Sequence, residues 1–250
     1  MTEAPLIEVR GLVLARGAAV VPRGLDFTVD RGLVFGITGQ TGAGKRTLLR
    51  HMVGLDRPAE GEVLYSGEGL WSGTEKDRER LKTRLGVLFA GGALLSTKTL
   101  LENVALTLRL HTSLAEEDVL DVARLKLALM GLVGYEHHYP SEVDASRRAW
   151  AGLARATALD PEILFLEEPT ARLDPLAARR VDDVVRRLRD DLGATVVLVS
   201  SDLASLLTVA DEAIFLDSGS KTMTARGNPA QLRDHSPDPT VRAFLGGGRP

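Results

Sequence analysis

Three stretches of this 250-residue chain carry the residue types and spacings that could do chemistry. The first is Gly39-Gln40-Thr41-Gly42-Ala43-Gly44-Lys45-Arg46-Thr47, between the apolar run at Leu33–Thr38 and a helical stretch. Gly39, Gly44 and Lys45 fit the G-x-x-x-x-G-K-[ST] phosphate loop, in which backbone N–H groups and a helix N-terminus receive phosphate oxygens. The last position of that pattern holds a hydroxyl that ligates Mg²⁺. Here it holds Arg46, which has donors only and adds a second positive charge beside Lys45. Thr47 comes one residue late, turned by about 100° on the helix. The second stretch is Glu167-Glu168-Pro169, two carboxylates at the end of the apolar run Ile163–Leu166. The third is Ser200-Ser201-Asp202, after the β-branched run that begins at Thr195. His137-His138 lies in a Gly/Tyr/Pro loop, where metal binding is not expected.

The elements that must position these groups read as an α/β chain. Leu6–Ala15 and Leu25–Val29 are expected as antiparallel strands. Leu33–Thr38 is the phosphate-loop strand, Lys45–Met52 its helix, and Gly61–Tyr65 a further strand. Lys76–Leu85 reads as a solvated helix and Gly86–Phe89 as a short strand. Leu100–Leu110 has helical apolar spacing. Ser113 with Glu116 reads as a capping box opening a helix that stops at Gly131. Asp144–Leu159 is a helix with Asp144 as its N-cap. Leu176–Leu192 is amphipathic, and Thr195–Ser200 reads as a central parallel strand. A helix and a hairpin around Asp217-Ser218-Gly219 follow. A polar tail over about 228–250 closes the chain, with one amphipathic segment at Val241–Leu245. The expectation is one domain over 1–250 with a helical sub-domain over about 90–158.

Composition narrows the function classes. Hydrophobic residues at 44% and charged residues at 26% are ordinary for a globular chain, and the length allows a substantial core. A net charge of −3 offers no basic field for nucleic acid. With no cysteine there is neither disulfide nor thiolate chemistry. MTEAPLIEVR has an acid and no apolar core, so a secretory signal is not expected. No run reaches the roughly 20 apolar residues of a membrane span, so membrane work would require partners that supply the spanning helices.

Ile163–Pro169 (ILFLEEP) resembles the Walker B strand of ABC transporter ATPases, and Leu173-Asp174-Pro175 resembles the D-loop that follows it. With the phosphate loop, the resemblance covers essentially the whole chain and implies a P-loop NTPase fold with an antiparallel β subdomain and a helical subdomain. Three shorter strings are similar to the ATPases of MCE/Mla-type phospholipid transporters: Leu88–Leu95 with Leu101–Ala105, Tyr139–Glu142, and Pro237–Leu245. This resemblance implies a second ATPase chain in a head-to-tail dimer, transmembrane permease subunits, MCE-domain lipid-binding subunits, and a peripheral position at the cytoplasmic face of the inner membrane. ATP is the nucleotide it implies.

The same resemblance marks where the chain departs. Ala90 stands at the Q-loop glutamine, and Val143-Asp144-Ala145-Ser146 stands where the family has LSGG. Glu167 replaces the Walker B aspartate, while Glu168 matches the general base. Arg172 replaces a D-loop glycine, with Asp174 retained, and Ser201 replaces the switch histidine. No aromatic residue marks the adenine position near Ala15 and Arg16. Asp144 would repel a partner's γ-phosphate unless Arg147 or Arg148 compensates. Two main readings stand. One is a pseudo-ATPase that keeps the fold, has a structural or regulatory role in a lipid-transport complex, and carries Glu168 as a vestigial base. The other is a slow ATPase energising phospholipid transport, with Glu168 active and nonstandard metal ligation. A third is an ABC protein unconnected to a membrane.

Overall fold

The computed structural model describes residues 4–16, 19–20, 23–171 and 173–247. In chain order the elements begin β1 (Ile7–Val13), β2 (Ala15–Arg16), β3 (Ala19–Val20), β4 (Leu25–Val29), β5 (Val34–Gly39), α1 (Lys45–Met52), β6 (Glu60–Tyr65) and β7 (Glu68–Gly69). Then come α2 (Glu75–Thr83), β8 (Leu85–Leu88), α3 (Leu100–His111), α4 (Glu116–Leu129), α5 (Ala145–Ala156), β9 (Ile163–Glu167) and α6 (Pro175–Asp190). The chain closes with β10 (Thr195–Val199), α7 (Leu203–Val209), β11 (Glu212–Asp217), β12 (Thr222–Gly227), α8 (Pro229–His235) and α9 (Pro239–Leu245).

Two sheets follow from two sequence patterns. Strands β5, β9 and β10 are buried along their whole length, as near-continuous apolar runs require of a sheet covered on both faces. They lie in a six-stranded sheet of order β12-β11-β5-β10-β9-β8, parallel except for β12. Strand β1 alternates buried with more open positions and sits in an antiparallel sheet of order β4-β1-β6-β7. One core lies between the sheets and includes α1, through Phe27, Phe35, Leu48 and Leu49. A second core covers the other face of the central sheet under α6, α7 and α9. A third joins α3, α4 and α5 through Leu101, Val104, Leu127 and Ala151.

Register decides where the chemistry meets. Val199 of β10 is level with Ile37 of β5 on one side and with Glu167 of β9 on the other. Leu88 of β8 is level with Leu166. The carboxyl ends of four adjacent strands therefore deliver the phosphate loop, Ser201, the Glu167-Glu168 pair and Ala90 to one edge of the sheet. Ligands of open α/β sheets bind at such an edge.

Three sequence expectations need correction. Helix α4 does not open on a Ser113–Glu116 capping box: its N-cap is Ala115, with no side-chain cap. Glu116, Glu117 and Asp118 in its first turn favour the helix dipole instead. Capping boxes stand at Thr74/Asp77 and Thr99/Glu102. The polar tail also holds a helix that the sequence did not mark, α8, while α9 takes up the expected amphipathic segment Val241–Leu245. Each is opened by an N-cap followed by proline, Asn228-Pro229 and Asp238-Pro239. Val241 and Leu245 are buried, and the Phe244 ring meets Phe215 edge-on at 5.1 Å. The charged helix α2 also stops at Thr83, and Leu85 already belongs to β8.

Candidate functional site

The phosphate loop has the backbone of its type. Gly39 has φ +142°, and a Cβ there would lie 2.1 Å from the Leu216 carbonyl oxygen, so only glycine fits. Gly44, the N-cap of α1, is left-handed at φ 95°. The Gln40 side chain anchors the loop to the end of β11, accepting from Ser218 N at 2.8 Å and Oγ at 2.6 Å. Thr41 and Gly42 form the turn, and the Ala43 N–H donates to the Gln40 carbonyl at 3.1 Å. Lys45 Nζ donates to the carbonyls of Gly39 at 2.5 Å and Gln40 at 3.1 Å. Burial pushes the Lys45 ammonium below its ordinary pKa, and the charge of Glu168 opposes that shift.

Arg46 does not point idly to solvent. Its Nε donates to Glu167 Oε1 in an ion pair. Glu167 is buried at 4% exposure, whereas the Arg46 side chain is 66% exposed. Glu167 Oε2 accepts from the Ala90 N–H at 3.3 Å. One carboxylate thus ties the phosphate-loop helix to the turn after β8. The partnership holds the Arg46 guanidinium above its ordinary pKa. Thr47, whose hydroxyl stands one residue late, is buried at 5% exposure within α1.

These residues do not fit the Mg²⁺ that the fold family implies. The ligand position is a cation with donors only, the nearest acid is committed to that cation, and Ala90 brings a methyl group. Among the described residues no three His, Cys, Asp or Glu side chains converge as a metal site.

Glu168 is also engaged. Its backbone is left-handed at φ 45°, an unfavourable conformation for a residue with a Cβ. Its carboxylate accepts from Ser201 N at 3.0 and 3.1 Å and from Ser201 Oγ at 2.8 Å. Ser201, just past the end of β10, thus holds the acid with direct hydrogen bonds. Next to it, Asp202 N-caps α7 and accepts from Thr170 Oγ1 at 2.8 Å.

The segment matching the family signature serves helix α5. Val143 is buried, and Asp144 N-caps α5 by accepting from Arg147 N at 2.8 Å. Ala145 and Ser146 form the first turn. The Arg147 guanidinium pairs with the Asp144 carboxylate and lies over the Tyr135 ring at 4.4 Å. The compensation that Asp144 requires thus comes from Arg147. The helix N-terminus and that arginine hold the Asp144 carboxyl below its usual pKa. Arg148 turns away, donating to the carbonyls of Val143 at 2.5 Å and Pro140 at 3.3 Å. Asp174 N-caps α6 through Leu176 N and Ala177 N, both at 2.9 Å. Arg172 lies outside the described residues, as do the side chains of Ala15 and Arg16.

A cleft of about 350 Å³ opens between these parts, lined by Arg46, Ala90, Ala145, Arg148, Glu167 and Glu168, among others. The sequence reading brought most of these positions to one site but missed two devices. The first is the Arg46–Glu167 pair; its signal was present in the paired replacement of a hydroxyl by a long base and of an aspartate by a longer acid. The second is Arg155, whose Nη1 and Nη2 donate to Ala93 O at 2.8 Å and Gly92 O at 3.0 Å. Burial lowers its pKa. Behind it, a Cβ on Gly152 would lie 2.7 Å from Gly92 Cα, so α5 and the turn touch backbone to backbone. Arg155 stands in the last turn of α5, and nothing local in the sequence marks it for bonding a turn 62 positions away.

The chain is similar to known proteins in sequence and in fold. Over 244 residues the chain is 35% identical to the intermembrane phospholipid transport system ATP-binding protein MlaF of Escherichia coli K12, spanning 98% of this chain and 90% of that one. It is 33% identical over 243 residues to the probable ribonucleotide transport ATP-binding protein mkl of Mycobacterium bovis, covering 97% of this chain and 67% of that one. The ATP-binding cassette MJ0796, solved as a dimer in a post-hydrolysis state with ADP and Pi, superposes with a TM-score of 0.81. That match has 23% identity and covers 89% of this chain and 98% of that one. The family model described as ABC transporter matches residues 22–171, and the chain belongs to that family.

Proposed function

We propose that this chain is the nucleotide-binding subunit of an MCE/Mla-like lipid-transport complex and works in it as a pseudo-ATPase, with a structural or regulatory role. The observation that carries this reading is the Arg46–Glu167 ion pair: the residue at the position where the resemblance implies a metal ligand is a guanidinium bound to a buried acid. Glu168, the candidate base, is held by Ser201 instead of facing an imidazole. Phosphoryl transfer depends almost wholly on positioning and charge stabilisation. Removing one such group typically costs about 10²–10³ in rate. The losses do not add simply, but here they strike the metal, the Q-loop, the switch and the signature together.

The phospholipid assignment draws on the likeness to MlaF, and the dimer on the likeness to the MJ0796 dimer. In a head-to-tail dimer, one composite site would use this chain's Arg46 loop. The other would use the partner's loop against Val143–Ser146. Both are altered, so pairing with a competent ATPase does not rebuild a standard site. The partners in this reading are transmembrane permease subunits, MCE-domain lipid-binding subunits and a second ATPase chain, with this chain peripheral at the cytoplasmic face of the inner membrane. Such partners must supply the membrane spans, because no helix among the described residues is long and apolar enough to cross a bilayer.

The deciding measurement is Mg-ATP turnover by the purified complex beside its Glu168→Gln variant. The expected result is no difference between the two. Turnover that disappears in the variant would establish the slow ATPase instead.

A further inference from the structure

We propose that the phosphate loop takes its nucleoside polyphosphate without a metal, with Arg46 as a covalently attached counter-charge, so that Mg²⁺ competes with the site. The proposal rests on the nucleotide-binding part of the reading above and adds the chemical form of the ligand. Three observations carry it.

First, the loop retains the groups that receive phosphate. These are its positive-φ glycines, the N-terminus of the eight-residue helix α1, and Lys45, at present resting on the carbonyls of its own loop. Those carbonyls are weak partners for an ammonium, and a phosphate oxygen would replace them with a charge-assisted bond.

Second, Arg46 is placed and oriented to act as a bridge. Its Nε is bonded to Glu167, but its Nη1 and Nη2 groups make no hydrogen bond among the described residues, and two thirds of the side chain is exposed. A guanidinium is a rigid planar fork with five N–H donors. It can keep Nε on Glu167 and offer its terminal nitrogens to phosphate, so no buried acid is left unpaired on binding. Glu167 suits the task because its extra methylene lets one carboxylate reach both Arg46 and the Ala90 N–H.

Third, Mg²⁺ and Arg46 exclude each other. A metal would compete with Arg46 for the Glu167 carboxylate and would face a fixed positive charge. In solution Mg²⁺ also binds the polyphosphate and cancels the charge that attracts Arg46 and Lys45. Each effect lowers affinity for the Mg²⁺ complex relative to the free anion.

The test is equilibrium binding of fluorescent ATP and ADP analogues to the purified full chain, in EDTA and in excess Mg²⁺. The expected result is binding in EDTA that weakens by roughly tenfold or more with Mg²⁺, the worth of one charge-assisted hydrogen bond. Arg46→Thr should reverse the sign, so that Mg²⁺ tightens binding. Should that variant fail to fold, the wild-type comparison still decides, as does electron paramagnetic resonance with Mn²⁺ and ATP, which should show no protein-bound metal. Tighter binding of the wild type in Mg²⁺ overturns the proposal, even where turnover is absent and the pseudo-ATPase reading stands. Absence of nucleotide binding under both conditions also overturns it and leaves only a structural role. Mg²⁺-dependent turnover requiring Glu168 removes both readings together.

Discussion

The Arg46–Glu167 pair makes an asymmetric prediction about stability, because its two ends sit in different environments. Glu167 is 4% exposed, and without Arg46 it keeps only the 3.3 Å bond from Ala90 N. Arg46 is 66% exposed, and without Glu167 it is free to rehydrate. Breaking a fully buried ion pair costs about 3–5 kcal/mol, because a charge is left uncompensated, whereas an exposed pair is worth about 0–1 kcal/mol. This pair lies between those limits, and the cost depends on which end remains. Arg46→Met strands the buried carboxylate and should cost about 2–3 kcal/mol. Glu167→Gln leaves the exposed guanidinium and should cost about 0–1 kcal/mol. The double variant should be more stable than Arg46→Met alone, because a neutral amide then occupies the buried position. Urea unfolding monitored by circular dichroism measures all three. For a protein of this size the Arg46→Met loss lowers Tm by about 4–12 °C. Equal losses from the two single variants, or a larger loss from Glu167→Gln, would refute the argument that burial of Glu167 sets the energetics.

Two further predictions concern parts of the fold away from the cleft. Leu245 is 2% exposed and belongs to the core under α6 and α7, so Leu245→Ala should cost roughly 2–4 kcal/mol in urea unfolding. A loss well under 1 kcal/mol would mean that α9 does not pack on that core. Asp182 is buried under α7, accepts from Ser205 Oγ, and has its pKa raised by burial, with Asp202 and Asp183 adding to the shift and Arg186 opposing it. The folded state then binds more protons than the unfolded state in the range above pH 3.8, so stability attributable to this group falls as pH rises through that range. Asp182→Asn should flatten that part of the stability profile, and an unchanged slope would count against the assignment.

Much of the framework was legible in the linear chain. Apolar runs such as Thr195–Val199 and Ile163–Glu167 announce doubly covered strands, because burial on both faces leaves no place for polar residues. The glycine spacing at 39–44 marks a loop whose backbone conformations are unavailable to other residues. Asp144 was readable as an N-cap because capping is local. Other local signals misled. Ser113 with Glu116 has the spacing of a capping box, but the helix starts at Glu116, so the serine lies outside its reach. In the tail, α8 was hidden by polarity, whereas the amphipathic segment Val241–Leu245 marked α9, whose apolar face packs against Phe215.

The sequence by itself determined the fold class and the location of the phosphate loop, and it marked Arg46, Ala90, Glu167 and Ser201 as departures from the pattern the chain resembles. These are properties of residue type and spacing along the chain. Tertiary structure alone decided what the substitutions do together. Arg46 and Glu167 are separated by 121 positions, and Glu168 and Ser201 by 33. They meet only because parallel strands bring their carboxyl ends into register at one edge of the sheet. From the chain alone Arg46 reads as a lost metal ligand. In the fold it is a positive charge anchored to the buried acid at the wall of the cleft, and this follows from which strands are neighbours.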